Sequence, residues 1–190
     1  ERRLFDDVVA AVDDAVGLLD GAMHEVAVRQ RSIAEPQRMV FVDDASRDGT
    51  LDELRGLMAE LPALRVLSHG SNAGQSRAVR TGVLAARGAI VVTLDGDGQN
   101  PPADAPKLAD LLAASPSSVG LVGGVRAKRQ DSGAKRQASL WANRIRRRLL
   151  GDDADDTGCG LKAFRRAIFL RLPYFDHIHR FLIALVQRDG

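Results

Sequence analysis

Two aspartates, Asp95 and Asp97, directly follow a run of apolar and β-branched residues at positions 90–94. A short run of this kind, without alternating polar residues, predicts a strand that is buried on both faces of a sheet. The two carboxylates then lie where the strand leaves the core, close in sequence to the amide of Gln99. Such oxygen ligands suit Mg²⁺ or Mn²⁺, which often share them with substrate phosphates. We therefore predict a metal site at Asp95, Asp97 and Gln99, although a plain polar turn would use the same residue types.

A second acidic pair, Asp43 and Asp44, ends another short apolar run at positions 39–42. A carboxylate in this position can accept a hydrogen bond from the ring N–H of uracil or guanine. The alternative is that both aspartates are turn and helix-capping residues. Further along the chain, Asn72 and Gly74 stand at the start of a predicted helix. A glycine there lets backbone N–H groups approach a phosphate, but it also suits simple entry of the chain into the helix.

Predicted strands and helices alternate along the chain, which is typical of an α/β domain. The predicted strands lie at 39–42, 64–67, 89–94 and 119–125, and the helices at 51–61, 72–87 and 103–114. This order implies a parallel or mixed sheet with helices on both faces. Ligands of such sheets bind at the carboxyl ends of the strands, where Asp44 and Asp95 are predicted to lie.

Residues 126–148 contain nine basic residues and one acid, Asp131. Helical spacing of the apolar residues within this region predicts a basic amphipathic helix over 134–150. Three interpretations remain open: a solvated charged face, docking on an anionic membrane surface, and binding of a diphosphate or lipid phosphate by cations such as Arg126 and Arg136.

The overall composition fits one soluble globular domain over residues 1–190, with 45% hydrophobic and 27% charged residues. The formal net charge of +2 and the aromatic content of 4% give no argument for nucleic-acid binding, which needs a cationic surface or stacking rings. The single cysteine, Cys159, excludes an intramolecular disulfide and fits a reducing compartment such as the cytoplasm. It has no histidine neighbour in sequence, so we interpret it as a small packed residue.

The motifs come in an order that resembles the family 2 glycosyltransferases of the GT-A fold. They are Val-Asp-Asp-Ala-Ser-Arg-Asp-Gly-Thr at 42–50, Asn-Ala-Gly at 72–74 and Asp-Gly-Asp at 95–97. The closer resemblance is to the dolichyl- and polyprenyl-phosphate sugar synthases, and it covers roughly residues 38–185. It implies a Rossmann-like GT-A fold with a mixed, mainly parallel sheet.

The resemblance also implies roles for individual residues. Asp44 would bind the nucleotide base with Asp43 supporting it, Asn72 and Gly74 would flank the nucleotide, and Asp95 would hold the metal-bridged diphosphate. Asp156 and Lys162 match an acceptor-side pattern, and residues 173–181 resemble the loop near the acceptor phosphate. The predicted catalytic residues are Asp97, Asp156, Arg126 and Arg136. His177 and His179 would need a third ligand to form a metal site.

The implied reaction is inverting, metal-dependent transfer of a sugar from a nucleotide-diphosphate sugar to a polyprenyl phosphate at the cytoplasmic face of a membrane. A saccharide hydroxyl acceptor is the alternative, and it would need a general base, for which Asp156 is the candidate. A non-catalytic nucleotide-binding remnant is a further alternative. A nucleotidyltransferase fits less well, because we find no glycine-rich basic loop near the first strand.

The N-terminal residues carry a helical pattern. Apolar residues recur at helical spacing over 3–19, with aspartates on other faces, which predicts an amphipathic helix. In the resembling family a strand ending in Asn-Glu precedes this helix. We therefore expect the first strand to be missing, with Glu1 as its last residue, and the domain to be truncated at both termini.

Overall fold

The computed structural model of the chain describes residues 5–12, 38–95, 101–125 and 159–189. The strands are β1 Phe5–Val12, β2 Arg38–Asp43, β3 Leu64–Ser68, β4 Ile90–Asp95, β5 Leu121–Gly123 and β6 Lys162–Arg165. The helices are α1 Thr50–Glu60, α2 Gln75–Ala85, α3 Ala105–Ala114, α4 Arg166–Arg171 and α5 Ile178–Asp189, with a 3-10 turn at Pro102–Asp104. None of these helices is both long enough and apolar enough to cross a bilayer.

The six described strands form one sheet in the order β3-β2-β1-β4-β6-β5. The pairs β1–β2, β1–β4 and β2–β3 are parallel, whereas β6 runs antiparallel to both β4 and β5. This arrangement confirms the predicted mixed, mainly parallel sheet. The predicted strands at 39–42, 64–67 and 89–94 correspond to β2, β3 and β4 within about two residues, which is the usual uncertainty of a strand end.

Alternate residues of the central strands point to opposite faces of the sheet, so each face has its own core. Val91 packs with residues of α2, α4 and α5 on one face. Its neighbours Ile90 and Val92 pack with Ala109 and Leu112 of α3 on the other face. Helices therefore cover both faces, as the sequence predicted.

The expectation of an N-terminal helix is wrong, because residues Phe5–Val12 form strand β1. This strand lies in the middle of the sheet, where Val9 pairs with Val40 on one side and with Thr93 on the other. The first strand is therefore present, contrary to the expectation that it is missing. The apolar run at 8–12 fits a helical stripe and a strand buried on both faces equally well. Pairing with two neighbouring strands, which local spacing does not reveal, decides between them.

Helix α2 lies unusually close to β1 at Gly82. A Cβ atom at position 82 would be 2.2 Å from Cγ1 of Val9 and 3.3 Å from Cγ2 of Val42. We expect Gly82→Ala to lower the free energy of unfolding by about 1–3 kcal/mol through overpacking. Gly56→Ala in α1 is the control, since nothing lies within 4 Å of its Cβ position. Gly56→Ala should stabilise the protein by about 0.5–1 kcal/mol through helix propensity. If urea denaturation gave the same change in stability for both variants, the close packing at Gly82 would be contradicted.

Candidate active site

Three parallel strands, β3, β2 and β4, end at the same edge of the sheet, with β1 between β2 and β4, and each has polar residues at its end. Strand β2 ends at Asp43 and is followed by Asp44, β3 ends at Ser68 and is followed by His69, and β4 ends at Asp95. The carboxyl edge of the sheet therefore gathers the predicted carboxylates, as expected for a ligand site in this class of fold.

Asp43 connects the ends of two strands. Its side chain is 1% exposed. Oδ1 accepts the backbone N–H of Ser46 at 3.2 Å, and Oδ2 accepts the hydroxyl of Ser68 at 3.0 Å. Asp43 thus holds the turn after β2 against the end of β3, beside Asp44.

Asp44 is also buried, at 3% exposure, and its carboxylate anchors the start of α2. Oδ1 accepts the backbone N–H of Ala73 at 2.9 Å and Nδ1 of His69 lies 2.6 Å from the same oxygen, while Oδ2 accepts the N–H of Gly74 at 2.6 Å. Burial by itself raises the pKa of Asp44, but the hydrogen bonds from Ala73, His69 and Gly74 outweigh it and lower that pKa below the usual value. Asp44 is therefore ionised at neutral pH.

His69 is a site residue that the sequence analysis missed. Nδ1 carries the proton in this arrangement because it faces a carboxylate. Nε2 lies within hydrogen-bond distance of the hydroxyl of Thr81, whose oxygen is 3.0 Å away. Residues Asp44, His69 and Thr81 form a chain of hydrogen bonds that connects β2, β3 and α2. The position of His69 directly after a predicted strand is the signal that could have identified it.

Gly74 is required by the backbone at the start of α2. Its φ is 85°, in the left-handed region that favours glycine. In this conformation its N–H reaches Asp44, and its carbonyl accepts the N–H groups of Arg77 and Ala78. Asn72 precedes the anchored residues and is exposed.

Asp95 is held from two sides by residues outside its own strand. The amide nitrogen of Gln75 donates to Oδ1 at 2.7 Å. On the other side the backbone of Gly160 passes so close that a Cβ atom there would be 2.0 Å from Oδ2. The carboxylate is partly exposed and offers hard oxygen donors, so its chemistry fits Mg²⁺ or Mn²⁺. Gln75 was not identified from the sequence.

Several predicted site residues lie outside the described residues: Asp97, Gln99, Arg126, Arg136 and Asp156. The predicted helix over 134–150 lies outside them as well. Within the described ranges, no group of three or more His, Cys, Asp and Glu side chains is placed to hold a metal ion. His177 and His179 are therefore not part of such a group among the described residues. A metal site at Asp95 therefore depends on the residues that follow it.

Gly160 gives a direct test of the packing around Asp95. The methyl group of Gly160→Ala would displace the flexible Asp95 carboxylate from Gln75. We expect about tenfold or greater loss of Mn²⁺-dependent binding of a nucleoside diphosphate, as is typical when a residue that orients a metal ligand is lost. Gly70→Ala is the control, because nothing lies within 4 Å of its Cβ position. Calorimetry that gives the same affinity for both variants would contradict this packing.

The first turn of α5 is tied to the first turn of α2. Nδ1 of His179 lies 2.7 Å from Oγ of Ser76, which is 5% exposed. Nearby, the ammonium group of Lys162 is buried and donates to the carbonyl of Cys159. Cys159 itself is 2% exposed and packs in the core, in agreement with its interpretation as a packed residue.

Burial lowers the pKa of His179 from 6.5 to about 4, and the charges of Arg180, Lys162 and His177 add to the effect. Between these two pH values the unfolded chain binds a proton that the folded chain does not bind. The free energy of unfolding should therefore fall as the pH drops from 6.5 towards about 4. His179→Asn should show a shallower fall in urea denaturation over this range. The same slope in both proteins would contradict the lowered pKa.

The sequence model of glycosyl transferase family 2 matches residues 22–172. The chain belongs to glycosyl transferase family 2. The motif resemblance described above is therefore confirmed, and the sheet is that of the GT-A glycosyltransferases, as predicted.

Curated relatives of this family 2 chain include sugar transferases named for polyprenyl phosphates. It is 34% identical over 166 residues to a dodecaprenyl-phosphate galacturonate synthase of Rhizobium johnstonii, covering 86% of the chain and 48% of the relative. It is 36% identical over 185 residues to an undecaprenyl-phosphate 4-deoxy-4-formamido-L-arabinose transferase of Edwardsiella ictaluri, covering 96% of the chain and 56% of the relative. The chain thus spans about half the length of these relatives.

Solved structures with a similar fold include nucleotide complexes. A mannosyltransferase of Pyrobaculum calidifontis in complex with GDP-Man and Mn²⁺ has a TM-score of 0.63 and 25% identity, covering 89% of this chain and 46% of that one. A glucosyl-3-phosphoglycerate synthase of Mycobacterium tuberculosis in complex with Mn²⁺, UDP and phosphoglyceric acid has a TM-score of 0.67 and 20% identity, covering 90% and 58%. The second likeness shows the fold alone.

Proposed function

We propose that this chain carries the catalytic domain of an inverting glycosyltransferase, which moves a sugar from a nucleotide-diphosphate sugar to a polyprenyl phosphate. The proposal rests on one observation: two carboxylates at strand ends accept hydrogen bonds from the same short segment, residues 73–75. Asp44 binds the N–H groups of Ala73 and Gly74, and Asp95 accepts from the next residue, Gln75. The names of the relatives support the class of acceptor.

We assign the donor base to a position beside Asp44. Its Oδ1 already interacts with Ala73 and His69, whereas Oδ2 accepts from Gly74. A carboxylate oxygen has two lone pairs, so Oδ2 retains the capacity to accept a ring N–H of uracil or guanine. The lowered pKa keeps this acceptor ionised. Asp43 supports it by fixing the turn that follows β2.

The donor diphosphate is assigned to the edge between Asp95 and the start of α2. Asp95, with Asp97 and Gln99, would hold Mg²⁺ or Mn²⁺. When bound, such a cation neutralises the charge that develops on the leaving diphosphate. Gln75 orients the Asp95 carboxylate, and the N-terminal end of α2 places backbone N–H groups beside an anion. Asn72 and Gly74 flank the nucleotide.

The acceptor oxygen attacks the anomeric carbon from the face opposite the diphosphate. A bond forms between that carbon and a phosphate oxygen of the acceptor, the bond to the diphosphate breaks, and the nucleoside diphosphate leaves with the electron pair. The configuration at the anomeric carbon is inverted. A lipid phosphate is already an anion at neutral pH, so it needs orientation by cations more than a general base. Arg126, Arg136 and Arg180 are the candidate cations, and Asp156 is the candidate general base if the acceptor is a sugar hydroxyl.

Two measurements test this proposal on the 190-residue chain. Calorimetry with UDP and GDP, each with and without Mn²⁺, should show metal-dependent binding of one nucleotide. A panel of nucleotide sugars is then incubated with undecaprenyl phosphate, and the product is detected by mass spectrometry. Its anomeric configuration, read by NMR, should be opposite to that of the donor. Metal-dependent nucleotide binding without transfer would oppose the lipid acceptor, and no nucleotide binding would support a non-catalytic remnant.

A further inference from the structure

Two phenylalanines beside the active-site edge pack against each other while they stay exposed. Phe175 precedes α5 and is 39% exposed, and Phe181 in the first turns of α5 is 37% exposed. Their ring centroids are 5.9 Å apart. The apolar residues that face the core from α5 are different ones, namely Ile178, Leu182 and Val186. The pair of rings therefore presents apolar surface outward.

Arginines lie beside the residues that neighbour this pair of rings in the sequence. The guanidinium carbons of Arg77 and Arg80 on α2 each lie 5.0 Å from the ring centroid of Tyr174, the residue before Phe175. Arg180, the residue before Phe181, is exposed. The nearby acid is Asp176, which accepts the hydroxyl of Tyr174 at 3.2 Å. In the part of the chain that the structure describes, this region thus carries three arginines and one carboxylate. We name this group the aromatic–arginine surface: Arg77, Arg80, Tyr174, Phe175, Arg180 and Phe181.

This surface is joined to the active-site edge by hydrogen bonds. Ser76 is paired with His179, and these residues directly precede Arg77 and Arg180. The other neighbour of Ser76 is Gln75, whose amide donates to Asp95. Two consecutive residues of α2, Gln75 and Ser76, therefore reach the Asp95 carboxylate and His179, which is the neighbour of Arg180 in the aromatic–arginine surface. A molecule bound at this surface lies beside the place where the donor diphosphate is proposed to bind.

We propose that the aromatic–arginine surface docks the domain on an anionic lipid bilayer. Exposed phenylalanines such as Phe175 and Phe181 insert into the apolar side of the boundary between headgroups and acyl chains, and a ring with one polar end, such as Tyr174, favours the boundary itself. Arginines bind lipid phosphates and are attracted by the negative surface potential of the leaflet. This orientation turns the carboxyl edge of the sheet towards the bilayer. The inference rests on the proposed function for its purpose, because a polyprenyl phosphate presents its phosphate at the headgroup level.

Vesicle co-sedimentation of the 190-residue chain tests the apolar part of the surface. The probes are vesicles of phosphatidylcholine alone and of phosphatidylcholine with phosphatidylglycerol. The double variant Phe175→Ser, Phe181→Ser should bind the anionic vesicles at least about tenfold more weakly than wild type, since it loses two partly inserted rings. Leu111→Ser on α3 and Met58→Ser on α1 are matched controls, being 57% and 42% exposed at other positions, and should bind as wild type does.

The charged part has its own variants. Arg77→Gln and Arg80→Gln should each weaken binding about fivefold and reduce its salt dependence, as expected for a cation at an anionic surface. Arg55→Gln on α1, where the side chain is 63% exposed, is the control for charge.

A second readout, tryptophan fluorescence, does not depend on loss of binding. Phe175→Trp in a Trp141→Phe background should shift its emission to the blue with anionic vesicles and be quenched by brominated lipids.

The outcomes separate this inference from the proposed function. Folded Phe175→Ser, Phe181→Ser protein that binds anionic vesicles as wild type does would overturn the docking surface, as would an unquenched tryptophan at position 175. A wild-type dimer that this double variant dissociates, seen by sedimentation without vesicle binding, would assign the surface to a second copy of the chain instead. Vesicle binding through these residues without sugar transfer would leave the surface standing and oppose the proposed function.

Discussion

Asp95→Asn should remove most of the Mn²⁺-dependent binding of a nucleoside diphosphate and leave the fold nearly intact. The substitution replaces the carboxylate that we propose as a metal ligand by a neutral amide at the end of β4, where the side chain is partly exposed. Loss of residues that only orient a metal ligand costs about 10–100-fold in affinity, and loss of the ligand itself should reach at least the upper end of that range. Calorimetry with Mn²⁺ and the nucleotide identified for the wild type measures the effect.

Asp104→Asn supplies the matched control for charge. Asp104 lies in the 3-10 turn before α3, and its carboxylate pairs with Lys107 at 2.6 Å. This variant makes the same change of charge in an exposed ion pair, and such a pair contributes about 1 kcal/mol or less to stability. Wild-type metal affinity in Asp95→Asn, or an equal loss in Asp104→Asn, would exclude Asp95 as a metal ligand. Gln75→Ala should fall between the two, since it only orients the carboxylate.

The sequence predicted the part of the site that is encoded locally. Strands β2 and β4 are short apolar runs that end in aspartates, and parallel strands carry their carboxyl ends to one edge. Asp44 and Asp95 could therefore be placed at the same edge without coordinates. Gly74 was identified as part of the Asn-Ala-Gly motif at the start of a predicted helix, where backbone N–H groups can approach a phosphate.

The contacts that organise the site could not be predicted in this way. Asp44 and His69 are separated by 25 residues, Gln75 and Asp95 by 20, and Ser76 and His179 by 103. Each pair joins different elements, so no periodicity within one segment reveals it. The partner of a polar side chain is set by how the helices pack on the sheet.

Strands β1 and β6 were not predicted from the sequence, and the physical reason differs between them. In β1 the uninterrupted apolar residues suit two strand neighbours, but they also fit a helical stripe, and only pairing with β2 and β4 resolves the ambiguity. Strand β6, Lys162–Arg165, is four residues long and has a basic residue at each end. Because β6 is short and contains a buried lysine, its sequence does not show the apolar pattern that predicts a strand. Antiparallel pairing with β4 and β5 stabilises it instead.

Asp44→Ala should lower both the stability of the domain and its affinity for nucleotide. The substitution leaves three donors without their acceptor, on Ala73, Gly74 and His69. Hydrogen bonds to a charged group contribute about 1.5–3 kcal/mol, but water can reach the exposed residues Ala73 and Gly74, so the free energy of unfolding should fall by about 1.5–3 kcal/mol in total. Asp52→Ala on α1, where the side chain is 85% exposed, removes the same charge and should change stability by less than about 1 kcal/mol.

The two ligands used with Asp44→Ala decide what the carboxylate does in binding. If Asp44 accepts from the base, the whole nucleotide should lose about 1.5–3 kcal/mol of binding free energy, which is typical of a hydrogen bond to a charged group, and inorganic diphosphate should lose much less. If Asp44 acts only by anchoring Ala73 and Gly74, the segment that carries Gln75 is released and both ligands should weaken together. Calorimetry with Mn²⁺ present, at a temperature where urea denaturation shows the variant folded, separates the two. Equal losses for both ligands would exclude direct base recognition by Asp44.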